Sequence, residues 1–362
     1  MTDPFQPLSF ARGPAMKNRF MLAPLTNLQS HVDGTLSEDE FRWLTLRAKG
    51  GFGLTMTCAA HVQRIGQGFP GQLGIFSDEH IPGLARLASR IRSEGSIAVA
   101  QLHHAGMRSP AELIGQQPVC PSDNQETKAR ALSGAEVEQL AEDFIAAAVR
   151  AERSGFDGVE LHNAHGYILA QFLSSEINLR NDKWGGTLDN RVRLLNLIID
   201  GIRARTRDDF SLGVRLSPER FGLKLAETRE VAGALMASGK LDYLDMSLWD
   251  VFKKPVETEF TDSLMSYFTS LNRSKTRLGV AGKIASADDV RRVLGGGADF
   301  AIIGRAAILH HDYPRRVSSD PNFSPVALPV TEAYLREQGL GEKFVGYMRG
   351  WKGFVAEGAA QA

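Results

Sequence analysis

Cysteine is nearly missing from these 362 residues: Cys58 lies inside an apolar run and Cys120 beside prolines in Pro118-Val119-Cys120-Pro121. Two thiols are too few for a disulfide framework or a cysteine-held iron-sulfur cluster, and they suit a reducing compartment. Net charge is missing as well. Lys and Arg number 42 and Asp and Glu number 42, a formal charge of +0, so no overall field favours nucleic acid or an anionic membrane, and a small molecule is the expected partner. No run of about 18 apolar residues occurs, and the start, Met1-Thr2-Asp3-Pro4-Phe5-Gln6-Pro7, has no basic stretch leading into an apolar one. A cytoplasmic protein, neither exported nor inserted in a membrane, is the expectation. Repeats and low-complexity tracts are also absent, and one large domain is the default for such a chain.

What is present is a rhythm. Short runs rich in β-branched and apolar residues alternate with helical patterns, as repeated βα units of a parallel sheet require. Eight runs read as buried strands: Arg19–Ala23, Leu54–Cys58, Ser96–Leu102, Gly158–Leu161, Leu212–Leu216, Tyr243–Ser247, Arg277–Ala281 and Phe300–Ile303. Ser37-x-x-Glu40 and Ser133-x-x-Glu136 place a hydroxyl and a carboxylate where first-turn amides lack partners, so helices are predicted to start there. After the second, Val137, Leu140, Phe144, Ala147, Ala148 and Ala151 recur at helical spacing and Gly155 ends the segment. Further helices are predicted near Leu188–Arg205, Ala226–Ser238 and Asp288–Leu294, while Ala105–Arg130 and Asp250–Thr276 break the rhythm and read as lids or binding walls. A barrel and an open doubly wound sheet both satisfy this pattern.

Motifs at the strand ends separate the two. Asn18-Arg19-Phe20-Met21-Leu22-Ala23-Pro24-Leu25-Thr26-Asn27 is a strand ending in a proline turn. Gln101-Leu102-His103-His104-Ala105-Gly106 ends the third strand, and Gly158-Val159-Glu160-Leu161-His162-Asn163-Ala164-His165-Gly166-Tyr167 carries the fourth. Asn178-Leu179-Arg180-Asn181-Asp182-Lys183-Trp184-Gly185-Gly186 follows. Val280-Ala281-Gly282-Lys283-Ile284 and Ile302-Ile303-Gly304-Arg305 end the last two strands, where glycines let amides approach a phosphate and an arginine adds charge-assisted bonds.

In this order, from about Asn18 to Arg305, the motifs resemble the old yellow enzyme family. The resemblance implies a (β/α)8 TIM barrel with long capping loops, one domain over 1–362, the barrel at about 18–315 and a C-terminal extension over 316–362. It implies non-covalent FMN, NADPH or NADH as reductant, and ping-pong hydride transfer through flavin N5 to the β-carbon of an activated alkene. Pro24, Leu25 and Thr26 would line the flavin, with Ala59, or Ala60 beside it, facing the ring; Cys58 stands where the family often has glutamate. Gln101 would bond the pyrimidine ring, since an amide both donates and accepts. Arg215 would sit near N1, where a fixed cation stabilises the reduced flavin. Gly282, Gly304 and Arg305 would hold the phosphate. His162 and His165 would grip the substrate carbonyl and Tyr167 would protonate the α-carbon.

Each residue has a plainer reading. His-x-x-His can hold zinc, but a third ligand is not in view; Tyr167 by itself is a packed aromatic, and Pro24 and Gly282 simply make turns. A buried Arg215 needs a partner, and a cofactor supplies one. Tyr347-Met348-Arg349-Gly350-Trp351 resembles a segment of one family branch whose arginine enters a neighbouring subunit's site, which implies a homodimer or higher homo-oligomer, whereas Leu28 replaces that branch's substrate-contacting tyrosine. The rival functions are a barrel isomerase or aldolase using the glycine-arginine site for a substrate phosphate, with Lys283 and Glu160 as modest candidates, and a non-catalytic flavin-binding protein.

Overall fold

Parallel strands buried on both faces must carry apolar side chains outward to helices and a second set inward, and the two parities of each strand here do different work. The computed structural model describes residues 2–357; Met1 and the last five residues of the expected extension 316–362 lie outside the described residues. Eight strands, β1 Phe20–Leu22, β2 Leu54–His61, β3 Ile97–His103, β4 Gly158–Asn163, β5 Ser211–Leu216, β6 Tyr243–Ser247, β7 Arg277–Ala281 and β8 Phe300–Ile303, pair in parallel with their sequence neighbours. β1 also pairs with β8, which closes the barrel and excludes the open sheet.

Helices α1 Glu38–Lys49, α2 Ile81–Ser93, α3 Gly134–Arg153, α4 Leu188–Arg205, α5 Leu225–Ala237 and α6 Ala287–Gly295 form the outer layer. They cover outward residues such as Phe20, Leu22, Val159, Leu161, Val214 and Met246, all fully buried. α3 begins with the complete capping box: Ser133 Oγ accepts from the Glu136 amide at 3.3 Å and Glu136 accepts from the Ser133 amide at 2.8 Å. It ends at Ser154 with Gly155 at φ +79°, a left-handed position that glycine occupies without strain.

At α1 the expectation is only half met. Ser37 caps the Glu40 amide at 3.1 Å, but the Glu40 carboxylate turns inward, where Asn27, Ser30 and the Cys58 thiol donate to it. Burial pushes its pKa up, and tertiary donors replace the local amide. The two rhythm-breaking stretches are also not wholly irregular. The first contains a two-stranded pair, Val119–Cys120 with Arg130–Ala131, and the second contains the short helix Ser266–Thr269, the only helix between β6 and β7 among the described residues.

Inside the barrel, Met21, Leu54, Met56, Ile97, Val99, Tyr243 and Phe300 fill the amino-terminal half. The N-terminal segment closes that end through an antiparallel bridge of Leu8 with Met16 and the packing of Phe10 on Tyr243. Further along, the inward positions become polar: Gln101, Glu160, His162, Arg215, Asp245 and Ser247. All are buried, at registers Gln101 with Glu160, His162 with Arg215, and Arg215 with Asp245. The same alternation that packs one end of the barrel therefore aims the chemistry into the other. None of the described helices is long and apolar enough to cross a membrane.

Candidate active site

A cavity of about 460 Å³ opens at the carboxyl ends of the strands. Pro24, Leu25, Thr26, Ala59, Gln101, His162, His165 and Tyr167 line it together. Of Ala59 and Ala60, Ala59 faces the cavity; a register shift between Met56 and Ala59 turns the strand there, and Ala60 goes into the outer core. Leu28 does not line it.

The two histidines converge, His162 Nε2 facing His165 Nδ1 at 3.2 Å. His165 sits at φ +58°, and its amide bonds Ser217 Oγ at 2.9 Å, which holds the turn after β4. Its far nitrogen, Nε2, lies 2.8 Å from Ser247 Oγ, and that hydroxyl accepts from Arg215 at 3.4 Å. The hydroxyl thus sits between the guanidinium and the imidazole and anchors the His165 ring. His162 Nδ1 is buried with no partner, so the polar contact of this ring toward the cavity is made at Nε2. Burial lowers both pKa values well below the ordinary range, with Arg215 contributing to each. Two neutral imidazoles, one donating to the other at 3.2 Å, thus bring their facing nitrogens to one point, which suits an oxygen held between them.

Tyr167 stands edge-on to the pair, 5.0 Å from the His162 ring and 4.4 Å from His103. Burial raises its pKa against the opposing charge of Arg108, so the phenol keeps its proton at neutral pH. No three His, Cys, Asp or Glu side chains cluster as a metal site among the described residues.

Arg215 needs a different account from the one its sequence suggests. It pairs with Asp245 at 3.3 Å, both side chains being buried, so the protein itself supplies a counter-charge. Glu160 lies in the same layer and accepts from Gln101 Nε2 at 2.8 Å. Burial and the neighbouring Asp245 push its pKa up, and one arginine between two carboxylates leaves Glu160 holding the proton. Gln101 is thereby fixed from below, while Arg215 Nε and both Asp245 oxygens lack well-formed hydrogen bonds. Sequence reading missed Glu160 and Asp245 as partners because they lie on different strands from Gln101 and Arg215, and only register joins them.

Gly282 and Gly304 end the adjacent strands β7 and β8, with Arg305 opening the helix Arg305–Leu309, but they lie outside the residues lining the cavity. Gly282 has a reason of its own to be glycine. At φ +148° its Cβ would stand 2.8 Å from the backbone of Trp249 and Asp250. Beside Gly304 the protein leaves room, the nearest atom being Leu25 Cδ2 at 3.8 Å, and no side chain caps the amides that follow. Open first-turn amides next to an exposed arginine fit a phosphate.

The remaining lining residues were not foreseen: Phe69, Arg108, Phe221, Trp249, Ile308, Phe344, Tyr347 and Trp351. Tyr347 and Trp351 belong to the segment expected to serve a neighbour, yet they line the cavity of their own chain from helix α7 Glu342–Arg349 and the turn after it. Between them Arg349 points elsewhere, 54% exposed and paired with Glu332.

A sequence profile of the NADH:flavin oxidoreductase / NADH oxidase family matches residues 3–322. A probable NADH-dependent flavin oxidoreductase, YqiG, of Bacillus subtilis is 38% identical over 325 residues, 86% of this chain and 87% of that one. Among solved structures, the old yellow enzyme homologue from Zymomonas mobilis superposes with TM-score 0.79 at 26% identity, covering 96% of this chain and 99% of the other. A 2-naphthoyl-CoA reductase gives the same score and identity over 87% of this chain, which spans only 52% of that enzyme. The chain belongs to the NADH:flavin oxidoreductase / NADH oxidase family, that of the old yellow enzymes, and is an NAD(P)H-dependent flavin oxidoreductase with FMN as its cofactor.

Proposed function

We propose that the enzyme reduces activated alkenes, α,β-unsaturated carbonyl or nitro compounds, in a ping-pong cycle in which NADH or NADPH and the alkene use the same cavity in turn. The observation that carries this reading is the pair of imidazole nitrogens 3.2 Å apart beside a protonated tyrosine. FMN, when bound, supplies the hydride relay between nicotinamide and alkene.

Pro24, Leu25, Thr26 and Ala59 would hold the flavin ring, with Gln101 bonding its pyrimidine side and Arg215 placing a positive charge beneath it. Gly304 and Arg305, next to Gly282, would take the phosphate. His162 and His165 would both donate to the substrate oxygen and draw electrons from the β-carbon, which prepares it to accept hydride. Tyr167 would deliver the proton to the α-carbon from the opposite side. We further propose that Arg349 completes a partner's cavity in a homodimer; an active enzyme that sediments strictly as a monomer removes that role.

The isomerase or aldolase alternative is disfavoured because no lysine or carboxylate lines the cavity among the described residues. Lys283 is exposed and bound to Asp250 at 3.0 Å, and Glu160 lies beneath Gln101. The deciding experiment is anaerobic: NADPH or NADH should bleach the flavin band, and cyclohexenone should restore it. Bleaching without recovery on any activated alkene rejects the proposal and leaves a flavin reductase of other purpose.

A further inference from the structure

The mouth of the cavity carries two arginines that the hydride-transfer reading leaves unused. Arg108 lines the cavity, its guanidinium 4.8 Å from the centre of the Tyr167 ring and 5.9 Å from that of Phe221. Arg220 stands over Trp249 at 4.7 Å, and Trp249 in turn lies 6.4 Å from Phe221 and 6.0 Å from His165. The four side chains form one continuous rim from Arg108 through Phe221 and Trp249 to Arg220.

Both guanidinium groups are exposed, and among the described residues neither has a carboxylate within ion-pairing distance. The nearby acids are committed elsewhere: Glu219 to Lys253 and the Val256 amide, and Asp250 to Lys283. The rim is also held in place by the backbone. Arg220, Phe221 and Trp249 have φ of +70°, +56° and +63°, a left-handed conformation that non-glycine residues seldom adopt. The Phe221 ring sits so close to Gly166 that a Cβ there would approach it to 2.7 Å.

Inside the rim no acidic side chain lines the cavity, and the two histidines are neutral. Free positive charge at the entrance of a pocket without negative charge draws anions, and guanidinium groups bind carboxylate and phosphate oxygens in paired, directional bonds. We propose that Arg108 and Arg220 form an anion-receiving rim that holds a charged oxygen group of the bound ligand while its reactive end lies between His162 and His165. This rests on the hydride-transfer reading of the cavity and adds the ligand class: a molecule with a carboxylate or phosphate displaced from its reactive end. The group belongs either to an acidic alkene or to the pyrophosphate of the nicotinamide donor, and the two sources give separate results.

The test is calorimetric binding to oxidised, FMN-loaded enzyme, with no turnover. The enone 4-(3-oxobut-1-enyl)benzoate is compared with the nearly isosteric neutral 4-(3-oxobut-1-enyl)benzamide, and NAD+ with nicotinamide, in the wild type, R108Q, R220Q and the double variant. The expected result is that the anionic-to-neutral affinity ratio falls about fivefold in each single variant and more in the double, with the gap narrowing as salt is raised. R108K, which keeps the charge, should recover most of the ratio. A fall confined to the enone benzoate assigns the rim to an acidic substrate, and one confined to NAD+ assigns it to the donor's pyrophosphate. An unchanged ratio overturns the proposal, as does an equal loss for neutral probes, which would make the arginines wall packing for Tyr167 and Trp249. Failure of flavin recovery with alkenes leaves these affinities readable, so the two readings fail separately.

Discussion

Replacing Ser247 by alanine removes one oxygen that touches no substrate, yet it should slow the alkene step. Ser247 Oγ is buried and lies between Arg215, at 3.4 Å, and His165 Nε2, at 2.8 Å. It anchors the His165 ring so that Nδ1 faces the point where His162 Nε2 also aims. Without it, the ring loses that anchor, and one of the two imidazole contacts to the substrate oxygen is then misplaced for part of the time. A buried neutral hydrogen bond contributes about 1 kcal/mol and an orphaned buried group costs about 1–3 kcal/mol. Taking about 1.4 kcal/mol as the loss, alkene reduction falls about tenfold. Nicotinamide needs no acceptor oxygen between the imidazoles in order to give up hydride, so flavin reduction should change less than about threefold by the same measure. Stopped-flow recording of the flavin band, first with NADPH or NADH and then with cyclohexenone, reads the two steps apart. Equal slowing of both steps, or no slowing of the alkene step, refutes the anchoring argument.

Tyr167→Phe should leave flavin reduction within about threefold while lowering net alkene reduction by about a hundredfold or more, as loss of a positioned acid does; equal effects on both half-reactions would remove Tyr167 as the acid. Acid should weaken the fold between pH 6.5 and 4, because buried neutral histidines must gain protons on unfolding. His61, lowered to about 4 by burial, alone accounts for about 3 kcal/mol across that window, stability that is present above pH 6.5 and lost as pH falls. Urea melts at pH 7 and pH 5 check it, and equal or greater stability at pH 5 contradicts it. Gly282→Ala forces a Cβ to 2.8 Å from the Trp249 and Asp250 backbone at φ +148° and should destabilise by about 1–3 kcal/mol, seen as a lower melting temperature even without FMN. A loss seen only in FMN retention would instead make this glycine a phosphate contact alone.

All eight strands, the helices α3 and α4 and the order of motifs at the strand ends were legible in the amino-acid sequence. The physical reason is range: strand and helix periods, capping hydroxyls and glycine turns act within a few residues, so they leave a local pattern. That Gln101, His162 and Arg215 meet at one site was implied by the resemblance of their motifs, and strand register places all three in the barrel interior. What the sequence could not determine are partnerships made by barrel closure. Arg215 looked as if it needed a cofactor for its charge until β6 brought Asp245 to 3.3 Å. Glu40 looked like a cap until Asn27, Ser30 and Cys58 drew its carboxylate inward. Tyr347 and Trp351, more than 300 residues from Pro24, line the same cavity as that proline, and no local period encodes such a meeting. Arg108, Phe221 and Trp249 come from three separate loops, and only the closed barrel places them around one entrance.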